Sequence, residues 1–224
     1  MRQLAAFTKK EFIELSRTNK TMILMIIFII FGIMSPLMAK LTPWMFEMLS
    51  GTLKEQGITI GDISVTAITS WEQYYKNLFM EFVVFVVMLS GILTGEYEKG
   101  TLVNMVTKGL TRWKIIAAKG IALVFTWSLC HYLCYAITYA YNAFFWDNSI
   151  ANHVFFASTA SYIFGLWLIS IILLSSAYLG TSSGVLLTTA IVYGATYLLA
   201  MIPDLSNYLP TKLTSGLELI RVLQ

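Results

Sequence analysis

Several stretches of the sequence carry side chains that could do chemistry. Gly180-Thr181-Ser182-Ser183-Gly184 fits G-x-S-x-G, a pattern that exposes a nucleophilic serine between strand and helix, with acid and histidine following in the chain. Here both histidines, His131 and His153, precede Ser182, and the flanking residues are long apolar runs, so a small-residue turn is the better reading. Cys130, His131 and Cys134 lie in one stretch, with the two thiols a helical turn apart, and soft ligands of this kind can hold a transition metal. A fourth ligand and an acidic partner are missing nearby in sequence, which favours plain packing. Gly95 to Thr101 opens like G-x-x-x-x-G-K-[ST], but Thr101 stands where the phosphate-binding lysine belongs. The sequence therefore shows no ATP site of its own, no catalytic set and no metal site. Glu81 is an acid within or near an apolar run, an expensive placement that often serves function. It could line a substrate path, carry a proton or pair with a base. Equally, it lies close to the outer end of its run, where water would solvate it.

The elements that must position these groups are membrane helices. The chain has 224 residues, of which 57% are hydrophobic and 12% charged. Soluble domains carry about 25% charged residues, and the mean hydropathy here is +0.71. Six Trp, twelve Tyr and fourteen Phe fit aromatic enrichment at membrane interfaces. Two cysteines in an apolar run imply no disulfide framework. The start of the chain does not have the short charged and apolar regions of a cleaved signal peptide. The expected fold is an all-α integral membrane protein with an amphipathic interfacial helix over 1–20, a transmembrane domain over 21–202 and a tail over 203–224. In the first helix Leu4, Phe7, Phe12 and Leu15 can share a face, with Lys9, Lys10, Glu14 and Arg17 largely elsewhere. Five runs are long enough to span about 30 Å of hydrocarbon: 21–39, 77–95, 115–146, 153–180 and 184–202. Residues 40–76 read as a polar, irregular loop, and Lys119 as a side chain that snorkels to the interface.

Basic residues set the orientation. Arg2, Lys9, Lys10, Arg17 and Lys20 precede the first span, and Lys99, Lys108, Arg112, Lys114 and Lys119 surround the second connection. The positive-inside rule places both in the cytoplasm, and the 203–224 tail outside. The cytoplasmic segment 96–114 has acids first and bases last, broken by Gly100 and Gly109, and its helical part would gather Leu102, Met105 and Val106. A short docking helix for a partner has this pattern, and so does a membrane-surface helix.

The run Glu98-Lys99-Gly100-Thr101-Leu102, then Val106-Thr107-Lys108-Gly109-Leu110-Thr111-Arg112, then Lys119-Gly120 resembles permeases of type 2 ABC exporters. Their pattern here reads E-x-G-T-L, a hydrophobic stretch, a small residue and Arg, then a G-K-like pair, which this sequence reverses. Phe7, Lys10, Glu11, Phe12 and Arg17, with Phe31 to Pro36, look like the family's interfacial helix and first span. The resemblance implies a dimer of permease subunits (homodimer or heterodimer) in the cell membrane, each seated on a separate ATPase that binds ATP and Mg. The coupling helix would be 96–112, with Glu96, Glu98, Lys108 and Arg112 fixing its orientation, Gly100 permitting the turn, and Thr101, Leu102, Met105 and Val106 within it. It also implies a sixth helix beyond the outer segment 203–224, and cargo such as a peptide, toxin or antibiotic. Membrane lipid is an expected partner and nucleic acid is not. An ion- or proton-coupled carrier built on Glu81 is the main rival, although repeated or interrupted spans are not visible. A membrane enzyme or a non-transporting scaffold or sensor are the others.

Overall fold

A computed structural model describes residues 2–55, 65–98, 100–107, 109, 111–151, 153–216 and 218. These form the helices α1 (Arg2–Arg17), α2 (Lys20–Glu55), α3 (Ala67–Leu89), α4 (Thr94–Glu98), α5 (Thr101–Thr107), α6 (Arg112–Phe145), α7 (Val154–Tyr178), α8 (Ser182–Leu199) and α9 (Pro203–Ser206). Short 3-10 turns follow α6 at Asn148–Ile150 and α9 at Pro210–Thr214. Five stretches are long and apolar enough to cross a membrane: Lys20–Met48, Ala67–Glu98, Arg112–Phe145, Val154–Tyr178 and Ser182–Leu199. The chain thus has the helices of a multi-pass membrane protein.

The first expected loop is much shorter than its polarity suggested. Helix α2 runs on to Glu55 and α3 begins at Ala67, so most of 40–76 is helical; residues 56–64 lie outside the described residues. Pro36 and Pro43 sit inside α2 without ending it. Proline at position 36 removes the amide that would bond the Gly32 carbonyl. That carbonyl instead accepts from Thr138 Oγ1 of α6 at 3.0 Å, the kind of substitute partner that lets proline persist in membrane helices. Asn77 Nδ2 of α3 donates to Ser35 Oγ at 3.0 Å and fastens the same region from the other side.

Helix α2 packs along α3 and α6, and α7 bridges α6 to α8. Trp127 sits at the centre, fully buried. Its Nε1 donates to the Tyr162 carbonyl at 3.1 Å, and its ring meets Phe28, Phe82 and Phe85 at centroid distances of 6.0, 5.4 and 5.0 Å. Gly165 makes room for it: a Cβ there would lie 2.2 Å from the indole. The tail folds back over the far end of the bundle, where the Pro210–Thr214 turn packs on α7. Thr214 Oγ1 lies 3.3 Å from Tyr197 Oη.

Candidate coupling site

Helix α1 reads along one face as Leu4, Phe7, Glu11 and Leu15, an apolar stripe with an acid in its middle. The whole face is turned inward: Phe7 and Leu15 are buried, and Glu11 is 1% exposed. The face that suggested a helix lying along the membrane surface packs on α6 and α2. Phe12 makes an edge-to-face contact with Phe125 of α6 at 5.1 Å, and Arg17 ends the helix with its side chain exposed. Asn19, at φ 55°, turns the chain sharply from α1 into α2.

The acid in the stripe has a partner from α6. Lys119 Nζ donates to Glu11 Oε2 at 2.9 Å and to the Ile92 carbonyl at 2.8 Å, and stands 3.3 Å from Glu96 Oε1. Snorkelling of Lys119 is therefore replaced by burial, because two carboxylates and a carbonyl surround the ammonium and stand in for water. Lys10 closes the network from outside, pairing with Glu96, with Glu14 at 2.6 Å and with Glu11 at 3.1 Å. Burial draws the Lys10 ammonium down, but hydrogen bonds to Glu14 and Glu96 and the charge of Glu11 outweigh it and hold the group above its ordinary value. Oxygens of Glu11, Glu14 and Glu96 lie within 4.8 Å of one another, and the Lys10 ammonium provides the cation such a cluster needs. The second Glu96 oxygen is buried beside a cavity of about 130 Å³, without a hydrogen-bond partner among the described residues.

This network braces the 96–114 segment. After α3 the chain turns through Ser90 to Leu93 into α4, and Gly100, at φ +67°, permits the turn into α5 that an L side chain would strain. Thr101 Oγ1 donates to the Glu96 carbonyl at 3.3 Å. Leu102 is buried with Phe7, Leu93, Ile115 and Ala118, and Met105 and Val106 pack at the edge of that small core. The three apolar residues expected to gather do so, against their own chain. Thr101, Thr107, Arg112 and Trp113 remain exposed around them, with Tyr97 and Glu98. Lys108 lies outside the described residues.

Glu98 also has an internal role. Its Oε1 accepts from the Ser182 amide at 3.1 Å and from Ser182 Oγ at 3.3 Å, placing a carboxylate at the N-terminus of α8, where the helix dipole favours it. Thr181 caps the same helix through the Gly184 amide at 3.3 Å, and Ser182 Oγ lies 2.9 Å from Thr94 Oγ1. The G-x-S-x-G stretch is thus a capped turn between spans.

The remaining candidates meet on α3 and α6. Glu81 is not near a wet helix end: α3 starts ten residues before the expected span, and the carboxylate is fully buried. Cys134 Sγ donates to Glu81 Oε1 at 3.3 Å, so the cysteine stretch does have an acidic neighbour, from 53 residues away. His131 Nε2 lies 3.1 Å from both the carbonyl and the hydroxyl of Ser158. Among the described residues Cys130, His131 and Cys134 do not converge as three metal ligands.

Sequence reasoning missed the Lys119–Glu11–Glu96 network, which joins residues about a hundred positions apart. Its signal was legible in part: an acid in the apolar stripe of α1 and a lysine inside an apolar run both ask for a buried partner. No protein-family model, curated protein or solved structure matches this chain.

Proposed function

We propose that this chain is the membrane-spanning permease subunit of an ATP-driven exporter of the type 2 ABC class, working with a second permease subunit and a separate ATPase. The observation that carries the reading is a short helix, α5, set between the second and third spans at the end of the bundle richest in basic residues. The reading also rests on the sequence resemblance of 96–120 to the coupling region of such permeases.

A coupling element must be stiff toward its own spans and open toward its partner. The first need is met by Leu102 in its apolar seat and by Glu96 held between Lys10 and Lys119. The second is met by the exposed side chains of Thr101, Thr107, Arg112 and Trp113. Motion of the partner would reach α6 through Lys119 and α8 through Glu98. Each nucleotide state must then favour a different arrangement of spans, since a partner shifts an equilibrium only by its differential affinity for the two states. Exposed aromatic and aliphatic side chains on the spans suit an amphipathic cargo such as a peptide, toxin or antibiotic.

The test is a tagged pull-down from native membranes in mild detergent, with wild type and an Arg112→Ala, Trp113→Ala variant whose substitutions lie on the exposed rim. Co-purification of an ATPase with wild type, and its loss from a folded variant, supports the reading. Recovery of no ATPase with either protein contradicts it. The fully buried Glu81 favours the carrier as a second reading, in which ATP is irrelevant to transport and neutralising Glu81 abolishes it.

A further inference from the structure

Glu81 lies deep in the bundle, and among the described residues nothing of opposite charge meets it. It is about 21 Å along the α3 axis from Ala67, and about 8 Å beyond the exposed Lys76, at about 1.5 Å of rise per residue. The residue is fully buried and, among the described residues, makes no ion pair. Oε1 receives the weak Cys134 thiol donor at 3.3 Å, and Oε2 has no hydrogen-bond partner among the described residues.

Two more buried polar groups share its face of α3. Ser70, Tyr74 and Glu81 fall within about 40° of one another around α3, so they form one stripe rising from the Ala67 end. All three are buried. Among the described residues Ser70 Oγ has no hydrogen-bond partner, and Tyr74 Oη, within electrostatic reach of Glu81 and close to Ser158, completes no hydrogen bond of ordinary geometry. Buried polar groups with unused capacity are the sites where water enters protein interiors.

A bare carboxylate in such surroundings is too costly to keep, so a bound cation must neutralise it. A hard metal ion asks for about six or more oxygen ligands. The groups facing Glu81 are instead Tyr74 of α3 and the thiols Cys130 and Cys134 of α6. Other titratable groups on the packed helices are Arg112, Lys114 and Lys119 near the start of α6, His131, held by Ser158, and Tyr132, Tyr135, Tyr139 and Tyr141 further along it, Tyr162 and Tyr178 on α7, and Tyr193 and Tyr197 on α8. Helix α2 offers none between Thr21 and Ala39. Among the described residues no cluster of three acidic, thiol or imidazole ligands includes Glu81.

We propose that Glu81 is an intramembrane proton-binding site, reached along Ser70 and Tyr74 from the end of the bundle where α3 begins. In loading, a hydronium ion gives its proton to Glu81 Oε2, the O–H bond forms and water departs. Release is the reverse transfer to water. The site does not depend on an ATPase partner.

The experiment is infrared spectroscopy of the purified full chain in lipid nanodiscs, comparing wild type, Glu81→Gln and Cys134→Ser across pH, in H₂O and D₂O. The expected result is a carboxylic-acid carbonyl band that grows as pH falls, shifts in D₂O and is lost in Glu81→Gln. Its frequency moves in Cys134→Ser, where a hydroxyl replaces the thiol donor on Oε1, so the assignment stands even if Glu81→Gln does not fold. A folded protein with no such band at any pH, or with a band indifferent to both pH and D₂O, overturns the proposal. Loss of the band on adding Na⁺ at constant pH overturns it in favour of a metal-cation site.

Discussion

Lys119 Nζ lies 2.9 Å from Glu11 Oε2, joining residues 108 positions apart, and the two side chains are only 1% and 2% exposed. A buried pair of this kind adds little beyond well-packed apolar residues, but removing one partner strands the other charge. Lys119→Met should therefore destabilise the fold by about 3–5 kcal/mol, read as a lowered thermal midpoint in detergent. Adding Glu11→Gln should restore part of the loss, because Glu96 keeps Lys10. Strict additivity of the two substitutions would show that they do not share a network.

Trp127 is held in place by the absence of a side chain at Gly165. Gly165→Ala should cost about 1–3 kcal/mol through overpacking, since the new methyl would meet the indole 2.2 Å away. Trp127→Leu in the Gly165→Ala background should relieve the clash, so that introducing the alanine costs less there than in wild type. The change in Trp fluorescence on Gly165→Ala alone reports the displaced ring.

The turn that carries the serine pattern predicts a stability effect rather than a chemical one. Thr181→Ala should cost about 1 kcal/mol, the usual price of a lost helix N-cap. Ser182→Ala should leave any hydrolytic activity of the purified chain unchanged, because Ser182 Oγ is engaged with Glu98 and Thr94. A fluorophosphonate probe that labels wild type and not Ser182→Ala would contradict this.

Lys10 gives a pH dependence of definite sign. Its folded-state value lies above the ordinary 10.5, so its contribution is fully present below that value and fades only as pH rises through the higher folded value. Wild type and Lys10→Met should thus differ in thermal midpoint by a constant amount across neutral pH, and the gap should narrow only in strong alkali. A gap that narrows between pH 7 and 9 would mean that Lys10 is not held by its three carboxylates.

The spans were legible because bilayer thickness dictates run length: the runs over 153–180 and 184–202 correspond to α7 (Val154–Tyr178) and α8 (Ser182–Leu199) within about three residues at every end. The length of α2 was not, because Pro43 and Gly51 in a polar stretch read locally as loop, whereas the helix carries Pro43 in its interior and runs on to Glu55. The α5 helix was foreseen from Leu102, Met105 and Val106. The inward use of Glu96 and Glu98 was not, because their partners Lys10, Lys119 and Ser182 come from three other helices. Local pattern reports which residues are polar, and only packing decides which charges are left for a partner.

Site-specific crosslinking in native membranes asks whether the α5 end of the bundle seats an ATPase. A photoreactive group is attached through Arg112→Cys at that end, or through Tyr208→Cys, which is 88% exposed at the opposite end; the native cysteines are both buried. If that end seats an ATPase, position 112 gives an adduct with a nucleotide-binding protein and position 208 gives none. Equal adducts from both positions, or an adduct with no ATPase at all, would contradict it.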